Sequence, residues 1–274
     1  MNKLFQEGHS MIDQRYVFDY RYLVKNFSCQ KELGSWIRRY VEVHGFLILQ
    51  DVESSSDLER ASLFLTQLCS LIGTLVPHNP GNNDFVWQIK SQLSTSALKT
   101  FSEHNQHAPL HTDSQYRNQP ERFIALMTLH QAHCGGGYTE LVDFRKIFQE
   151  LKCTDLGSRV VQFLKSESFP IAIPSVFQEA SKPAYIRAKL VSESPLIRYR
   201  YDTLKAGLSL IEDHRVAAFH ENLDLLNNFI QSSPHRFRFL SLPNEITFLD
   251  NHRFLHGRSS FTDLNRLLLR TRMN

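Results

Sequence analysis

Residues 245–273 read EITFLDNHRFLHGRSSFTDLNRLLLRTRM, and this stretch decides the fold. Three strand-like runs follow one another: Glu245 to Leu249, Arg253 to Arg258 and Arg266 to Met273. Asp250-Asn251 favours a tight turn between the first two, because short polar side chains bond their own backbone. Gly257 leaves room for a ligand or another backbone to come close. On the last run Arg266 and Arg270 share a parity, while Leu267 and Leu269 hold the other, so the two guanidinium groups face one way and the leucines pack outward under helices. Two arginines on the inward face of a buried strand are costly unless anions neutralise them. Arg suits that task, since its planar fork grips a carboxylate through two hydrogen bonds.

Working outward, the middle of the chain is also strand-rich. Arg122 to Leu129 (RFIALMTL) and Tyr138 to Val142 are β-like, separated by Gly135-Gly136-Gly137, which reads as a hairpin turn. Tyr185 to Tyr201 reads as two strands around Glu193-Ser194-Pro195. Helices come before and between. Leu33, Trp36, Ile37, Tyr40 and Val41 fall at helical spacing up to Gly45, where a short apolar strand, Phe46 to Leu49, takes over. Ser56-Asp57-Leu58-Glu59 is a capping-box sequence at the head of a stripe of Leu58, Ala61, Leu65, Leu68 and Ile72, with Gly73 as its C-terminal cap. Phe144 to Leu151, Asp155 to Lys165 and Glu212 to Ile230 read as three more helices. The expected class is α+β, with an antiparallel jelly-roll sandwich or barrel from about residue 85 and a mixed N-terminal third. No internal repeat or low-complexity linker divides the 274 residues, so one domain is expected over 1–274.

Composition narrows the function classes. Apolar residues make up 42% and charged residues 22%, the balance of an ordinary globular protein. The formal charge is +3, from 31 Lys and Arg against 28 Asp and Glu, and no dense basic block appears, so no nucleic-acid partner is expected. Four scattered cysteines without a C-x-x-C pair read as reduced thiols of a cytoplasmic protein. Met1 to Tyr20 holds no signal-peptide core, and no run of residues is apolar enough to suggest a membrane partner.

His111-Thr112-Asp113 is the sharpest local feature. On a strand, residues two apart project together, which sets an imidazole nitrogen beside a carboxylate oxygen. With a third ligand they would form the two-His-one-carboxylate face that suits Fe(II) and leaves coordination positions open for reactants. Of the 13 histidines, His256 is the best third ligand, on the strand leaving the Asp250-Asn251 turn. His130-x-x-His133-Cys134 lacks the second pair a zinc finger needs. His104 and His107 read as loop residues, His252 as a turn residue, and Arg258 as either a charge near the site or a surface ion pair.

The order HTD, GGGYTELVD, DNHRFLHGRSSF and NRLLLR resembles the Fe(II)/2-oxoglutarate dioxygenases of the taurine dioxygenase (TauD/TfdA) and clavaminate synthase-like group. The likeness runs from about Leu110 to Met273. It implies a distorted double-stranded β-helix, Fe(II), and 2-oxoglutarate as co-substrate. It implies that His111, Asp113 and His256 are the catalytic iron ligands. Thr139 and Arg266 would hold the distal carboxylate of 2-oxoglutarate, and Arg270 the substrate's acid group or the near carboxylate of the co-substrate. Asp113 matches the taurine side of the group, whereas DNHRFLHGRSSF is more like the clavaminate side. The expected activity is hydroxylation of a small anionic substrate, an amino acid or related carboxylate, with release of succinate and carbon dioxide. Two other readings stay open: the same iron site used without 2-oxoglutarate, and a non-catalytic jelly-roll protein that binds a metal or small acid.

Overall fold

The computed structural model describes residues 12–52, 57–78, 84–91, 100–178, 183–192 and 196–274. From the N-terminus, β1 (Val17–Asp19) runs into α1 (Tyr20–Asn26), which Asp19 caps by accepting the Tyr22 N–H. Helix α2 (Gln30–His44) buries Leu33, Ile37 and Val41, as its stripe predicts. It stops at Gly45, where φ is 94° and a Cβ would sit 2.0 Å from the Phe254 ring. Glycine is needed there for both reasons. Strand β2 (Phe46–Gln50) follows, then α3 (Leu58–Ser70). Asp57 caps α3 through the Glu59 and Arg60 N–H groups, and the Ser56 of the expected capping box lies outside the described residues.

Strands β3 (Leu75–Val76), β4 (Trp87–Lys90), β5 (Ala108–His111), β6 (Phe123–His130) and β7 (Thr139–Asp143) come next, then helices α4 (Phe144–Leu151) and α5 (Asp155–Ser166). Strands β8 (Ser168–Ala172) and β9 (Tyr185–Lys189) form a separate two-stranded ribbon. Helices α6 (Tyr201–Leu208) and α7 (Val216–Gln231) precede β10 (Arg236–Phe239), β11 (Glu245–Asp250), β12 (Phe254–Arg258) and β13 (Leu267–Met273).

Two sheets make the core. The larger has the order β1-β2-β11-β6-β13-β3, with β4 also paired to β13. The smaller has the order β10-β7-β12-β5. Among the described residues only the β1–β2 pair is parallel. Phe46, Ile48, Ile124 and Leu249 of the large sheet pack against Leu141, Phe239 and Phe254 of the small one, filling the space between them. The other face of the large sheet carries Leu47, Leu49, Phe248 and Leu269 under α2 and α3. The other face of the small sheet carries Leu110, Val142 and Leu255 under α4 to α7. Each of these buried side chains contributes roughly 1.5–3 kcal/mol by leaving water. The result is the jelly-roll core with flanking helices that the C-terminal pattern predicts. Strands β1, β2 and β3 enter the large sheet from before residue 85.

Two local expectations change. Gly135–Gly137 is not a hairpin, because β6 and β7 lie in different sheets and the glycines carry the chain across. A Cβ on Gly136 would meet the Ser260 carbonyl at 2.3 Å, and Gly135 and Gly137 have φ of 75° and 78°. Around residues 193–195, which lie outside the described residues, only the first strand forms; after it come isolated bridges of Val191 with Ile197 and of His111 with Arg200. The next residues, Tyr201–Leu208, are helical.

Candidate active site

Strand pairing brings the two histidines together. β12 lies beside β5, and His256 is directly opposite His111 in the antiparallel register. Directly opposed side chains share a sheet face, and the ring centroids lie 4.3 Å apart. Asp113 completes the group, with Oδ1 at 3.7 Å from His111 Nε2 and 3.8 Å from His256 Nε2. These gaps are too long for hydrogen bonds. They fall within the roughly 4 Å span that one cation can bridge with ligand bonds of about 2.1 Å. One ligand atom from each residue lies within 4.8 Å of the others, and all three residues are buried.

The protonation states fit a cation. His111 Nδ1 sits 2.7 Å from the Pro109 carbonyl, which can only accept, so Nδ1 carries the proton and the Nε2 lone pair faces Asp113. Burial, with His256 beside it, pushes His111 down to about 3, and burial lowers His256 as well. Both rings are therefore neutral near pH 7. Burial would raise the Asp113 carboxyl, but Arg270 and Arg272 outweigh it and hold the group well below the usual carboxylate range. The buried Nδ1 of His256 has no hydrogen-bond partner.

Asp113 is placed by a turn. Strand β5 ends at His111, and Asp113 opens the loop after it, so the two converge although they do not share a strand. Asn251 holds this loop: its Oδ1 accepts the Asp113 N–H at 2.8 Å, and its Nδ2 donates to the carbonyls of Asp113 and Glu121. The Thr112 N–H donates to the Tyr199 carbonyl, and Arg198 donates to the carbonyls of Gln115, Arg117 and Asn118. Asp113 Oδ2 faces Arg270 Nη1 at 2.9 Å and Arg272 Nε at 3.4 Å. Those contacts leave Oδ1 facing the two imidazoles.

Two cavities flank the cluster. One is lined by Thr139, His256, Gly257, Arg258, Arg266 and Arg270, with Leu268 and Phe101 among its apolar walls. Thr139 opens β7 and shares a hydrogen bond of 2.9 Å with Ser241. Arg266 precedes β13 and passes Gly137, where a Cβ would lie 3.3 Å from its Nε. Among the described residues no carboxylate pairs with Arg266, and burial beside Arg258 pushes it down to about 9. Among the described residues Arg258 pairs with no acid, and it does not lie on the surface: it is buried, donates to the carbonyls of Phe101, His104 and Gln106, and so ties the loop before β5 to β12. Gly257 admits backbone, since a Cβ there would be 2.8 Å from the Ala108 carbonyl.

The second cavity touches His111 and Asp113 from the other side. Its walls include the stacked pairs His78–Trp87 and Tyr116–Phe177, together with Arg200, Arg270 and Arg272. Arg200 lies over the Phe101 ring and is neutralised by two 2.8 Å bonds to Asp202. Phe101, Ser102, His111 and Arg270 line both cavities, so the two meet at the cluster.

The structure thus gathers His111, Asp113 and His256, and places Thr139, Arg266 and Arg270 around one adjoining cavity. His130, His133 and Cys134 do not gather; among the described residues His111, Asp113 and His256 form the one group with metal-ligand spacing. His104 and His107 line neither cavity, and His252 is a turn residue whose Nε2 meets the Pro120 carbonyl. Sequence reasoning missed Arg272, Asn251, Arg198 and Ser241. Arg272 had a signal, since it shares the parity of Arg266 and Arg270. The other three act through side-chain hydrogen bonds, which leave no periodic trace.

Solved structures share this architecture. The chain is similar to asparagine oxygenase in complex with Fe(II), 3-hydroxyasparagine and succinate, at 18% identity and a TM-score of 0.65, covering 89% of this chain and 78% of that one. It is similar to the non-haem iron oxygenase OrfP in complex with Fe and α-ketoglutaric acid, at 16% identity, a TM-score of 0.66 and the same coverage. It is also similar to the PvcB protein from Pseudomonas aeruginosa, at 20% identity and a TM-score of 0.63, covering 89% and 81%. No curated protein matches the chain in sequence. The model of the taurine catabolism dioxygenase TauD, TfdA family matches residues 20–272, nearly the whole chain, and the protein belongs to that family of oxygenases.

Proposed function

We propose that the protein is an Fe(II)- and 2-oxoglutarate-dependent dioxygenase that hydroxylates a small anionic substrate, an amino acid or related carboxylate. His111, Asp113 and His256 would hold Fe(II), and the observation that carries this is their convergence at 3.7 and 3.8 Å without mutual hydrogen bonds. Two neutral imidazoles and one carboxylate form a donor set that suits Fe(II) and leaves positions open. The structural neighbours solved with iron, succinate or α-ketoglutaric acid support the same assignment.

When bound, iron and 2-oxoglutarate together activate dioxygen, with oxidative decarboxylation to succinate and carbon dioxide and transfer of one oxygen atom into a substrate C–H bond. The chain's own residues bind, orient and exclude water. Arg266 would pair with the distal carboxylate of 2-oxoglutarate, replacing the anion its buried site lacks, and the Thr139 hydroxyl would add a donor. Arg270, which lines both cavities, would meet the near carboxylate or the substrate's acid group. Its bond to Asp113 Oδ2 directs the other carboxylate oxygen toward the cation. Phe101, Leu268 and the stacked aromatics supply apolar walls that keep bulk water from the reacting atoms.

Free thiols at Cys29, Cys69, Cys134 and Cys153 support a reducing, cytoplasmic setting. No helix among the described residues is long and apolar enough to cross a membrane. The test is succinate release: protein with Fe(II), 2-oxoglutarate and ascorbate should form succinate when a small amino-acid or carboxylate substrate is added. Substrate oxidation that leaves 2-oxoglutarate unconsumed would show a different use of the iron site. Absence of succinate with every candidate would favour a binding protein.

A further inference from the structure

Thr139 opens β7 on the strand face that it shares with Leu141, the face that looks into the space between the sheets. Strand β10 pairs with β7 so that Phe239 lies opposite Thr139. The chain then leaves the sheet, and two residues later Ser241 brings its hydroxyl back to the Thr139 hydroxyl at 2.9 Å. A turn fixes that return: the Leu242 N–H donates to Glu245 Oε2 at 2.8 Å, and the Glu245 N–H donates to the Leu242 carbonyl at 3.2 Å. Both Thr139 and Ser241 are buried. Thr139 is a wall of the cavity that holds Arg258 and Arg266; Ser241 is not one of its walls and stands behind Thr139.

A hydroxyl carries one proton and two acceptor lone pairs, so this pair can be ordered in two ways. If Thr139 donates to Ser241, it turns only lone pairs toward the cavity, and these repel a carboxylate. If Ser241 donates to Thr139, the Thr139 proton is free to meet an acceptor in the cavity. An anion drawn in by Arg266 selects the second order. Donation from Ser241 also polarises the Thr139 O–H, and chained hydrogen bonds in a low-dielectric site strengthen one another.

We propose, building on the oxygenase reading, that Ser241 is a positioning residue for the co-substrate. It donates to Thr139 Oγ1 and so aims the Thr139 proton at the distal carboxylate of 2-oxoglutarate. Ser241 itself touches neither co-substrate nor metal. Its effect passes through the Thr139 hydroxyl and is confined to ligands that carry a distal carboxylate.

The visible charge-transfer band of Fe(II) chelated by a 2-keto acid, titrated under nitrogen, reads affinity without turnover. Two ligands are compared: 2-oxoglutarate, and 2-oxopentanoate, which keeps the keto acid and the chain length but has a methyl group in place of the distal carboxylate. Ser241→Ala should raise the Kd of 2-oxoglutarate about five- to tenfold and leave that of 2-oxopentanoate within about twofold. Retained binding of 2-oxopentanoate also shows that the altered protein keeps its site. In a Thr139→Val background, adding Ser241→Ala should change the Kd of 2-oxoglutarate by less than about twofold, because the hydroxyl that Ser241 acts through is gone. The inference is overturned by an unchanged Kd of 2-oxoglutarate in Ser241→Ala, by an equal loss for both ligands, or by a full loss that persists without the Thr139 hydroxyl. Those three outcomes leave the oxygenase reading standing. A wild-type protein that gives no band with either ligand overturns that reading and this inference with it.

Discussion

Replacing Arg266 with Met separates binding from folding. Arg266 is 6% exposed, its guanidinium has no carboxylate partner among the described residues, and it is pushed down to about 9 by burial and by Arg258. A base whose pKa falls on folding is penalised in its charged form. That penalty is full below about pH 9 and fades as the pH climbs toward the ordinary arginine range. Near neutral pH the unliganded protein therefore carries a buried, uncompensated cation. Met fills similar volume without charge, so Arg266→Met should stabilise the unliganded fold by about 1–3 kcal/mol, or roughly 2–4 °C in Tm for each kcal/mol. The bound state should respond in the opposite sense. Losing one partner of a buried, hydrogen-bonded charge pair costs about 3–4 kcal/mol, which is about 10²–10³-fold in the Kd of 2-oxoglutarate. Arg266→Lys keeps the charge and loses the fork, so it should fall between. Equilibrium dialysis with labelled 2-oxoglutarate and calorimetric melting of the unliganded protein read the two effects. A Kd within about threefold of wild type, or a melting temperature lowered by several degrees, would refute the assignment of Arg266 as the co-substrate's anchor.

Other perturbations probe the scaffold. Asn251→Ala removes three buried hydrogen bonds to the Asp113 and Glu121 backbone and should lower stability by about 2–4 kcal/mol and weaken metal binding, read by melting and by a Co(II) titration. Gly136→Ala places a Cβ 2.3 Å from the Ser260 carbonyl and should cost a few kcal/mol, whereas Gly135→Ala meets no atom within 4 Å and should show only the smaller strain of its positive φ. Cys134, exposed and brought down to about 7 by the Thr262 N–H that its sulfur accepts, should be alkylated by iodoacetamide with a rate half-maximal near that pH. Cys69, fully buried and pushed up by burial, should stay unmodified while the protein is folded. Equal labelling of the two at neutral pH would contradict this.

Much of the architecture is legible because apolar periodicity is a direct image of burial. Helices formed where the first two stripes ran, and Leu33, Ile37, Val41, Ala61, Leu65 and Leu68 of those stripes are buried on them. The last three strands formed close to their expected bounds. The pairing of the two histidines is legible because strand register is rigid: His256 meets His111 across one antiparallel pair, whereas Asp113 joins them from the loop after β5 and not through strand parity. What escaped has a different physical origin. The triple glycine crosses between sheets because Ser259 to Phe261 must pass close to it, a long-range contact with no local signature. Helix α6 is too short for its stripe to stand out, and the run before it makes isolated bridges instead of a strand. Asn251 and Arg198 shape the loop that carries Asp113 by bonding backbone carbonyls more than 80 residues away in sequence.

The central claim is that three side chains from β5, the loop after it and β12 hold one Fe(II) beside a 2-oxoglutarate pocket. Anaerobic titration of the protein with Fe(II) and 2-oxoglutarate, followed by visible absorption, tests it directly. A charge-transfer band should grow to one equivalent of iron and vanish in His256→Ala protein that still melts cooperatively. A band that survives the loss of His256, or no band in the wild-type protein, would contradict the account.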